Sequence, residues 1–579
     1  MIQELKDKIG RAFRFTIYTL LPLVGGGGVG VSLSSCSNML DTDSELVEFA
    51  EDNTLNHTTD SVYSVLGIVN AMQTIADRTV LLGEARGDLA VTTDAASADL
   101  KRLSAFDFSQ QNKYNQVSDY YAVINNCNYY LAHADTALQR RGRKIFEREY
   151  AVVKAYRAWT YLQLVQAYGQ VPLVTEPVMT EQEARDAMSQ PRKSIADVCN
   201  YFITDLTPYA MTLLPDFGAI GSWDPQYFFI PVRVLLGDLC LWAGRYEEAA
   251  RWYNSYLNDE KEPVQLRYSS RITWTDPSEF RYPTNAYLPT SSSEILSFIP
   301  MEGQVFYGTV SELRNIYAST SENNYYFQLT PSAGMRQLSA SQVYCMEHKT
   351  DARTDTIYVP RTGMLDDLLV GDLRLYSYFN QYSSGAQDEY SEYSAIRQSI
   401  SKIWVNQVAT YRITMVYLRY AEALNRAGLP QSAMAILKYG LCPENVTLYV
   451  DSLEQQRAGD LIKFDGNVFT KETTIGVHSL GSGDSQINDF YALPQPATTL
   501  ANRQDTVDYQ IPLVEDLIVN EMALEGAFEG YRFYDLMRVA LRRGDNSYLA
   551  DPISRRTGTP DAALRTKLMD SANWYLPLP

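Results

Sequence analysis

Apolar residues recur with a helical period over long stretches of this chain. Residues 57–78 follow that period, and so does "VSDYYAVINNCNYYLAHADTAL" (117–138). In "KIFEREYAVVKAYRAWTYLQLVQA" (144–167), Tyr150, Val153, Tyr156 or Arg157, and Tyr161 or Leu164 fall three or four residues apart, along one helix face. Gly169 and Pro172 predict the end of that helix, and residues 194–214 form a further helical segment. Two helix pairs follow the tetratricopeptide pattern. In residues 231–257, Leu236-Gly237 lies in the first helix, Gly244 at the turn, and Ala249 and Tyr253 in the second. In residues 416–440, Tyr420-Ala421-Glu422-Ala423 precedes a turn at Gly428 and Pro430, then Ala433 and Leu437. Small residues at these points let helices approach closely. A free-standing solenoid needs at least about three units, so the N-terminal helices are expected to supply the others.

Elsewhere the period breaks. Residues 258–410 are rich in Ser, Tyr, Thr, Asn, Gly and Asp, with short apolar runs between turn residues, which predicts loops, short helices and minor strands. Residues 443–510, including "GVHSLGSGDSQINDFYALPQP", form a second irregular stretch. Long irregular insertions in a folded chain are usually functional or disordered, and the tyrosine content favours an ordered surface. The expected fold class is therefore mainly α: a tetratricopeptide-like helical scaffold, about 57–257 and 411–579, carrying irregular, partly β insertions at about 258–410 and 443–510.

The first residues have a different logic. Lys6, Lys8, Arg11 and Arg14 precede the uncharged run "FTIYTLLPLVGGGGVGVSLSS", the layout of a secretory signal. The run is too short and glycine-rich for a good membrane span. Leu33-Ser34-Ser35-Cys36 resembles the bacterial lipobox, in which an apolar and two small residues precede a cysteine that is acylated and becomes the mature N-terminus. Residues 1–35 then form a lipoprotein signal peptide, Cys36 is the lipidation site, and the polar, acidic residues 36–56 form a tether. Each buried CH₂ of such an anchor contributes about 0.8 kcal/mol. Gly25, Gly27 and Gly30 satisfy a dinucleotide-binding spacing, but inside a removed leader they carry no site.

Charge narrows the partners. The formal net charge is −19, and −21 once residues 1–35 are removed, which argues against nucleic acid and against an anionic membrane surface as a target. Anchoring must come from lipid. The mature chain keeps Cys127, Cys199, Cys240, Cys345 and Cys442 without a C-x-x-C pair; the first three fall in helical segments and read as small core residues. The histidines His57, His133, His348 and His478 are scattered, so no zinc site, other metal site or cofactor is expected. Most of the 42 tyrosines must serve helix packing, although tyrosine also suits wet recognition surfaces.

Separated blocks then match one family in order. "LLGEARGDLAVTT" (81–93) has an E-x-R-x-D segment at Glu84, Arg86 and Asp88. "YYAVINNCNYYL" (120–131), "AYRAWTYLQLVQAYGQVPLVTEP" (155–177), "VGDLRLYSYF" (370–379) and "YLRYAEALNRAG" (417–428) follow. "NEMALEGAFEGYRFYDLMR" (520–538) and the terminal "WYLPLP" (574–579) complete the series. With the lipobox, the chain resembles the SusD/RagB-like outer-membrane nutrient-binding lipoproteins of Bacteroidetes. It departs from several members at Asn520-Glu521-Met522, where they carry Glu-Arg. Glu529, Arg532, Asp535 and Arg538 are spaced for ion pairs within a helix and to its neighbours, and with Glu84, Arg86 and Asp88 are expected to hold the scaffold. Gly530 is expected to permit a sharp helix junction.

The resemblance implies a non-enzymatic role. The lipid holds the protein on the outer face of the outer membrane, where it binds an oligosaccharide or oligopeptide and caps a SusC-like, TonB-dependent β-barrel transporter. In glycan binders of the family, contacts come from just after the E-x-R-x-D segment and from the mid-chain insertions. Here residues 91–105 contain no aromatic side chain. The mid-chain region supplies Trp274, Tyr282, Tyr307, Tyr325 and Tyr326 as stacking candidates, with Asn323 and Asn324 for polar edges; Tyr287, Phe327 and Gln328 lie in the same region. The alternative is a surface-anchored glycan- or peptide-processing enzyme. An acidic pair such as Asp366-Asp367 is the kind a glycosidase uses, but carboxylates abound here and no nucleophile elbow, H-E-x-x-H or P-loop occurs.

Overall fold

Helix α1 (Thr58–Glu84) opens the fold with Val65, Ile68, Val69, Met72, Ile75, Ala76 and Val80 buried at helical spacing. By length and composition it is apolar enough to cross a membrane, yet most of it is packed inside the protein. The computed structural model describes residues 58–140, 142–220, 223–266, 271–272, 294–303, 306–317, 328–349, 354–359, 371–377, 400, 402–403 and 407–578. These belong to one unit, Thr54–Pro579. The expected leader, Cys36 and the 36–56 tether lie outside the described residues.

Helices α2 (Val117–His133) and α3 (Glu147–Tyr168) pack against each other and against α1. From Ala151 to Tyr168, α3 is buried on nearly every side, so it is a central core helix rather than a surface one. Its two buried cations are paired: Lys154 and Arg157 reach Asp205 of α4 (Ile195–Leu206) at 2.5 and 3.1 Å. Gly169 ends α3 with φ +77°, and a Cβ there would sit 2.8 Å from the Tyr575 ring, so the C-terminal segment needs glycine at this point.

The two anticipated helix pairs are present as α5 (Val232–Trp242) with α6 (Tyr246–Leu257), and α7 (Ile413–Arg426) with α8 (Pro430–Lys438). Small residues do what their spacing predicted: a Cβ on Gly237 would lie 2.4 Å from the Tyr253 ring of the facing helix. α7 packs on α6 and on α9 (Arg503–Gly526), so the stack runs from α2 and α3 through α4, α5 and α6 to α7, α8 and α9. α10 (Arg532–Arg543) closes it against α1 and α9, and α11 (Ser547–Arg555) packs on α10. Several buried tyrosines serve this packing and spend their hydroxyls on backbone, as Tyr156 does on the Phe228 carbonyl at 2.8 Å and Tyr161 on the Val174 carbonyl at 2.9 Å.

The described strands form two-stranded antiparallel sheets: β1 (Ala90–Thr92) with β7 (Leu329–Pro331), β2 (Gln139–Arg140) with β3 (Arg143–Lys144), β4 (Gln170–Pro172) with β5 (Arg192–Ser194), β6 (Ile295–Pro300) with β10 (Gln407–Arg412), and the hairpin β8 (Tyr344–Lys349) with β9 (Thr354–Val359). The β6–β10 ladder, Gln407 opposite Pro300, closes the base of the first insertion.

One expectation needs correction. The 443–510 stretch contains helices at Pro443–Tyr449, Ser452–Ala458 and Ser479–Ser482, and α9 begins at Arg503. The helices at 443–449 and 452–458 are set by caps rather than by an apolar stripe. The Asp451 carboxylate accepts from the Leu453 and Glu454 amides at 3.0 and 2.9 Å, while Leu448 and Leu453 face outward.

Candidate functional site

The motif residues form a buried ionic lattice that holds the scaffold. Asp88 meets the Arg532 guanidinium through two bonds of 2.6 and 2.9 Å. Glu422 takes Arg538 at 2.9 and 2.6 Å and Arg542 at 2.9 Å; burial alone would raise its pKa, but these arginines bring it down to about 2. Glu529 pairs with Arg412 and Lys402, and Arg374 with Asp372, Glu521 and Glu525. Among the described ion pairs of the late block, Asp535–Arg538, at 2.8 Å, lies within a helix, while Glu521, Glu525, Glu529, Arg532 and Arg538 also pair with distant parts of the chain. Arg86 is fully buried over the Phe533 ring and donates to the Trp574 carbonyl at 2.7 Å, which joins the early motif to the terminal one. Glu84 accepts from the Gly530 amide at 3.0 Å, and burial pushes its carboxyl up to about 8. Gly530 adopts φ +93°, and a Cβ on Gly83 would overlap its carbonyl, so two backbones touch here. None of these side chains is available to a large ligand.

The lattice positions a surface beside it. Asp88 leads into β1, whose ladder with β7 sets Ala90 opposite Pro331 and Thr92 opposite Leu329. The Gln328 carbonyl accepts from the Thr93 amide at 3.0 Å, and its side chain accepts from the Ser97 amide at 2.9 Å. The segment after the early motif thus lies against the mid-chain insertion, the two regions expected to supply ligand contacts. The exposed rim carries Asp94, Lys101, Lys113 and Glu312, the last two joined at 2.7 Å.

Of the predicted contact residues, Tyr307 falls among the described residues; Trp274, Tyr282, Asn323, Asn324, Tyr325 and Tyr326 lie outside them, as do Tyr287, Phe327, Asp366 and Asp367. Tyr307 is 64% exposed. Its loop is strapped to α1: the Gln73 side chain accepts from the Thr309 amide at 2.8 Å and donates to the Pro300 carbonyl at 2.7 Å. The Asp77 carboxylate accepts from Ser311 and from the Glu312 amide at 2.7 and 2.6 Å. An aromatic ring is thereby held in solvent on an ordered backbone, which lowers the entropy cost of stacking.

A second exposed aromatic was not singled out by sequence. Phe490 is 71% exposed and meets the Tyr358 ring edge-to-face at 5.1 Å, on the β8–β9 side. Asn488 anchors it by donating to the Val343 carbonyl at 2.8 Å, and Asp484 pairs with Arg271 at 2.7 Å. Nothing in "NDFYAL" separates this phenylalanine from a core one; only its place outside any helical period hinted at it. The five described cysteines are free and buried, with burial pushing Cys127 up to about 12. Among the described residues no group of His, Cys, Asp and Glu has the arrangement to hold a metal ion. Rigid exposed rings with nearby amides and carboxylates suit the apolar faces and hydroxyls of a neutral polar ligand.

No protein-family model and no curated protein matches the chain. Solved structures share its fold. A SusD superfamily protein of Bacteroides vulgatus ATCC 8482 aligns with TM-score 0.53 at 14% identity, covering 90% of this chain and 96% of the other. A SusD superfamily protein of Bacteroides thetaiotaomicron VPI-5482 aligns with TM-score 0.52 at 15% identity, covering 83% and 89%. A SusD-like carbohydrate-binding protein of Bacteroides fragilis NCTC 9343 aligns with TM-score 0.51 at 15% identity, covering 84% and 87%.

Proposed function

We propose that this chain, whose fold is that of the SusD superfamily, is a member of the SusD/RagB-like family: a surface-exposed outer-membrane lipoprotein that captures an oligosaccharide without cleaving it. The bound glycan is handed to a SusC-like, TonB-dependent β-barrel over which the protein acts as a lid. Acylation of Cys36 anchors it, and residues 36–56 give the fold its reach. The observation that carries the reading is the β1–β7 ladder, which joins the segment after Asp88 to the mid-chain insertion on a scaffold of this fold. Carbohydrate is preferred over peptide because a structure with the same fold is that of a carbohydrate-binding protein. Tyr307 stacks on a sugar ring, with Trp274, Tyr282, Tyr325 and Tyr326 as further platforms and Asn323 and Asn324 bonding to hydroxyls.

The test uses residues 37–579 as a soluble protein incubated with pools of neutral oligosaccharides and of peptides. Retention of intact oligosaccharide, weakened about twofold to tenfold by Tyr307→Ala as loss of one stacking contact implies, supports the reading. Turnover of the pool, or retention of peptides alone, refutes it. Isolation of the full-length protein from outer membranes without a large β-barrel removes the transporter partner.

A further inference from the structure

A polar cleft lies inside the scaffold, away from the exposed rings. It sits where α3, α5, β10 and α7 face the 529–538 segment, and has about 50 Å³ of room for solvent. A buried water needs about 10–15 Å³ of such room, so about three to five molecules fit. The walls are built for something to fill it. Asp535 is only 3% exposed; its Oδ1 accepts from Arg538 at 2.8 Å, while its Oδ2 has no hydrogen-bond partner among the described residues. Gln163 and Gln166, one turn apart on α3, line the opposite wall, and their side chains have no hydrogen-bonded protein partner among the described residues. Gln166 is itself buried.

The charges around the cleft decide the occupant. Asp238 holds Arg419 at 2.6 Å and accepts from the Tyr253 and Tyr411 hydroxyls at 2.6 and 2.9 Å. Glu529 is matched by Arg412 and Lys402, and Asp535 by Arg538. Every acidic side chain lining the cleft therefore has a cationic partner, and a further cation would meet Arg419 and Arg538. What is missing is a neutral donor for one carboxylate oxygen and neutral partners for two amides. Without water in the cleft, Asp535 Oδ2, a buried atom, would stay desolvated at full cost.

We propose that this cleft is a permanent hydration site, in which a cluster of ordered water donates to Asp535 Oδ2 and bridges it to the amides of Gln163 and Gln166. The water then links α3 to the late motif, which no direct bond between these side chains does. Burial also pushes the Asp535 carboxyl upward against the pull of Arg538 and Arg419, the direction expected where its solvation is incomplete without the cluster.

A high-resolution crystal structure of residues 37–579, grown without divalent cations and repeated with calcium, tests this. The expected result in both is a water cluster with one member about 2.6–3.2 Å from Asp535 Oδ2. A dry cleft overturns the proposal, as does a metal ion with oxygen ligands at about 2.0–2.6 Å in the calcium crystal. Gln166→Leu is expected to lose at least one water while the Asp535 water stays; an unchanged cluster overturns the role of the amides. Asp535→Asn, whose oxygen can still accept from Arg538, is expected to fold and to keep water opposite Gln166, and a dry cleft there counts equally against the proposal.

Discussion

Breaking the Asp88–Arg532 pair tests whether the separated motifs form one energetic unit. The two side chains are 8% and 7% exposed and share bonds of 2.6 and 2.9 Å across 444 residues of the chain. Arg532 also donates to the Val519 carbonyl at 3.2 Å. Asp88→Asn removes the charge and leaves the guanidinium buried without a counter-ion, which costs about 3–5 kcal/mol. At about 2.1 cal/mol/K per residue, a domain of roughly 500 residues has an unfolding entropy near 1 kcal/mol/K, so Tm falls by about 3–5 °C. Arg532→Met costs a similar amount by stranding the carboxylate. The double variant strands neither charge and should recover about 2–3 kcal/mol of the summed loss. Urea unfolding followed by circular dichroism supplies the cycle. Hydrogen exchange supplies a local readout: protection of the Ala90–Thr92 amides should fall in either single variant, because Asp88 leads directly into β1. Additive single effects, with coupling below about 0.5 kcal/mol, would refute the lattice as the tie between the motifs.

Gly83→Ala would place a methyl against the Gly530 carbonyl and should lower stability by about 3 kcal/mol, read by thermal unfolding; an unchanged Tm contradicts the close backbone approach. Glu84 has a folded pKa of about 8, raised by burial against the opposing pull of the Gly530 amide and Lys402. Because that pKa lies above the unfolded value, the folded state holds the extra proton, and stability is present at low pH and lost as pH rises from about 4.5 through 8. Glu84→Gln removes that loss, so the variant should gain on wild type between pH 6 and 9 by a few kcal/mol; parallel pH profiles would exclude a protonated Glu84. The buried thiols, with Cys127 held near 12, should not react with a thiol reagent in the native soluble chain 37–579, and all five should react after denaturation. Rapid labelling of the native protein would contradict their burial.

The sequence by itself determined the helical scaffold. Its apolar period is local, its stops are glycine and proline, and the small residues of the two helix pairs name their own close contacts, as Gly237 and Tyr253 show. The resemblance of its separated blocks to one family, with the ion-pair spacing of the late block, also named the motif residues that hold the fold. Their partners were another matter. That Asp88 meets Arg532, that Glu422 meets Arg538, and that Arg86 reaches Trp574 are contacts between segments whose separation leaves no periodic trace. The helices at 443–449 and 452–458 were missed because caps rather than an apolar stripe set them, and outward-facing leucines erase the pattern. An exposed Phe490 and a core phenylalanine read alike in a string of letters. Only the tertiary structure decided which rings face water, which polar atoms lack a partner and which segments meet at β1 and β7, since burial and register come from long-range packing and no local preference encodes them.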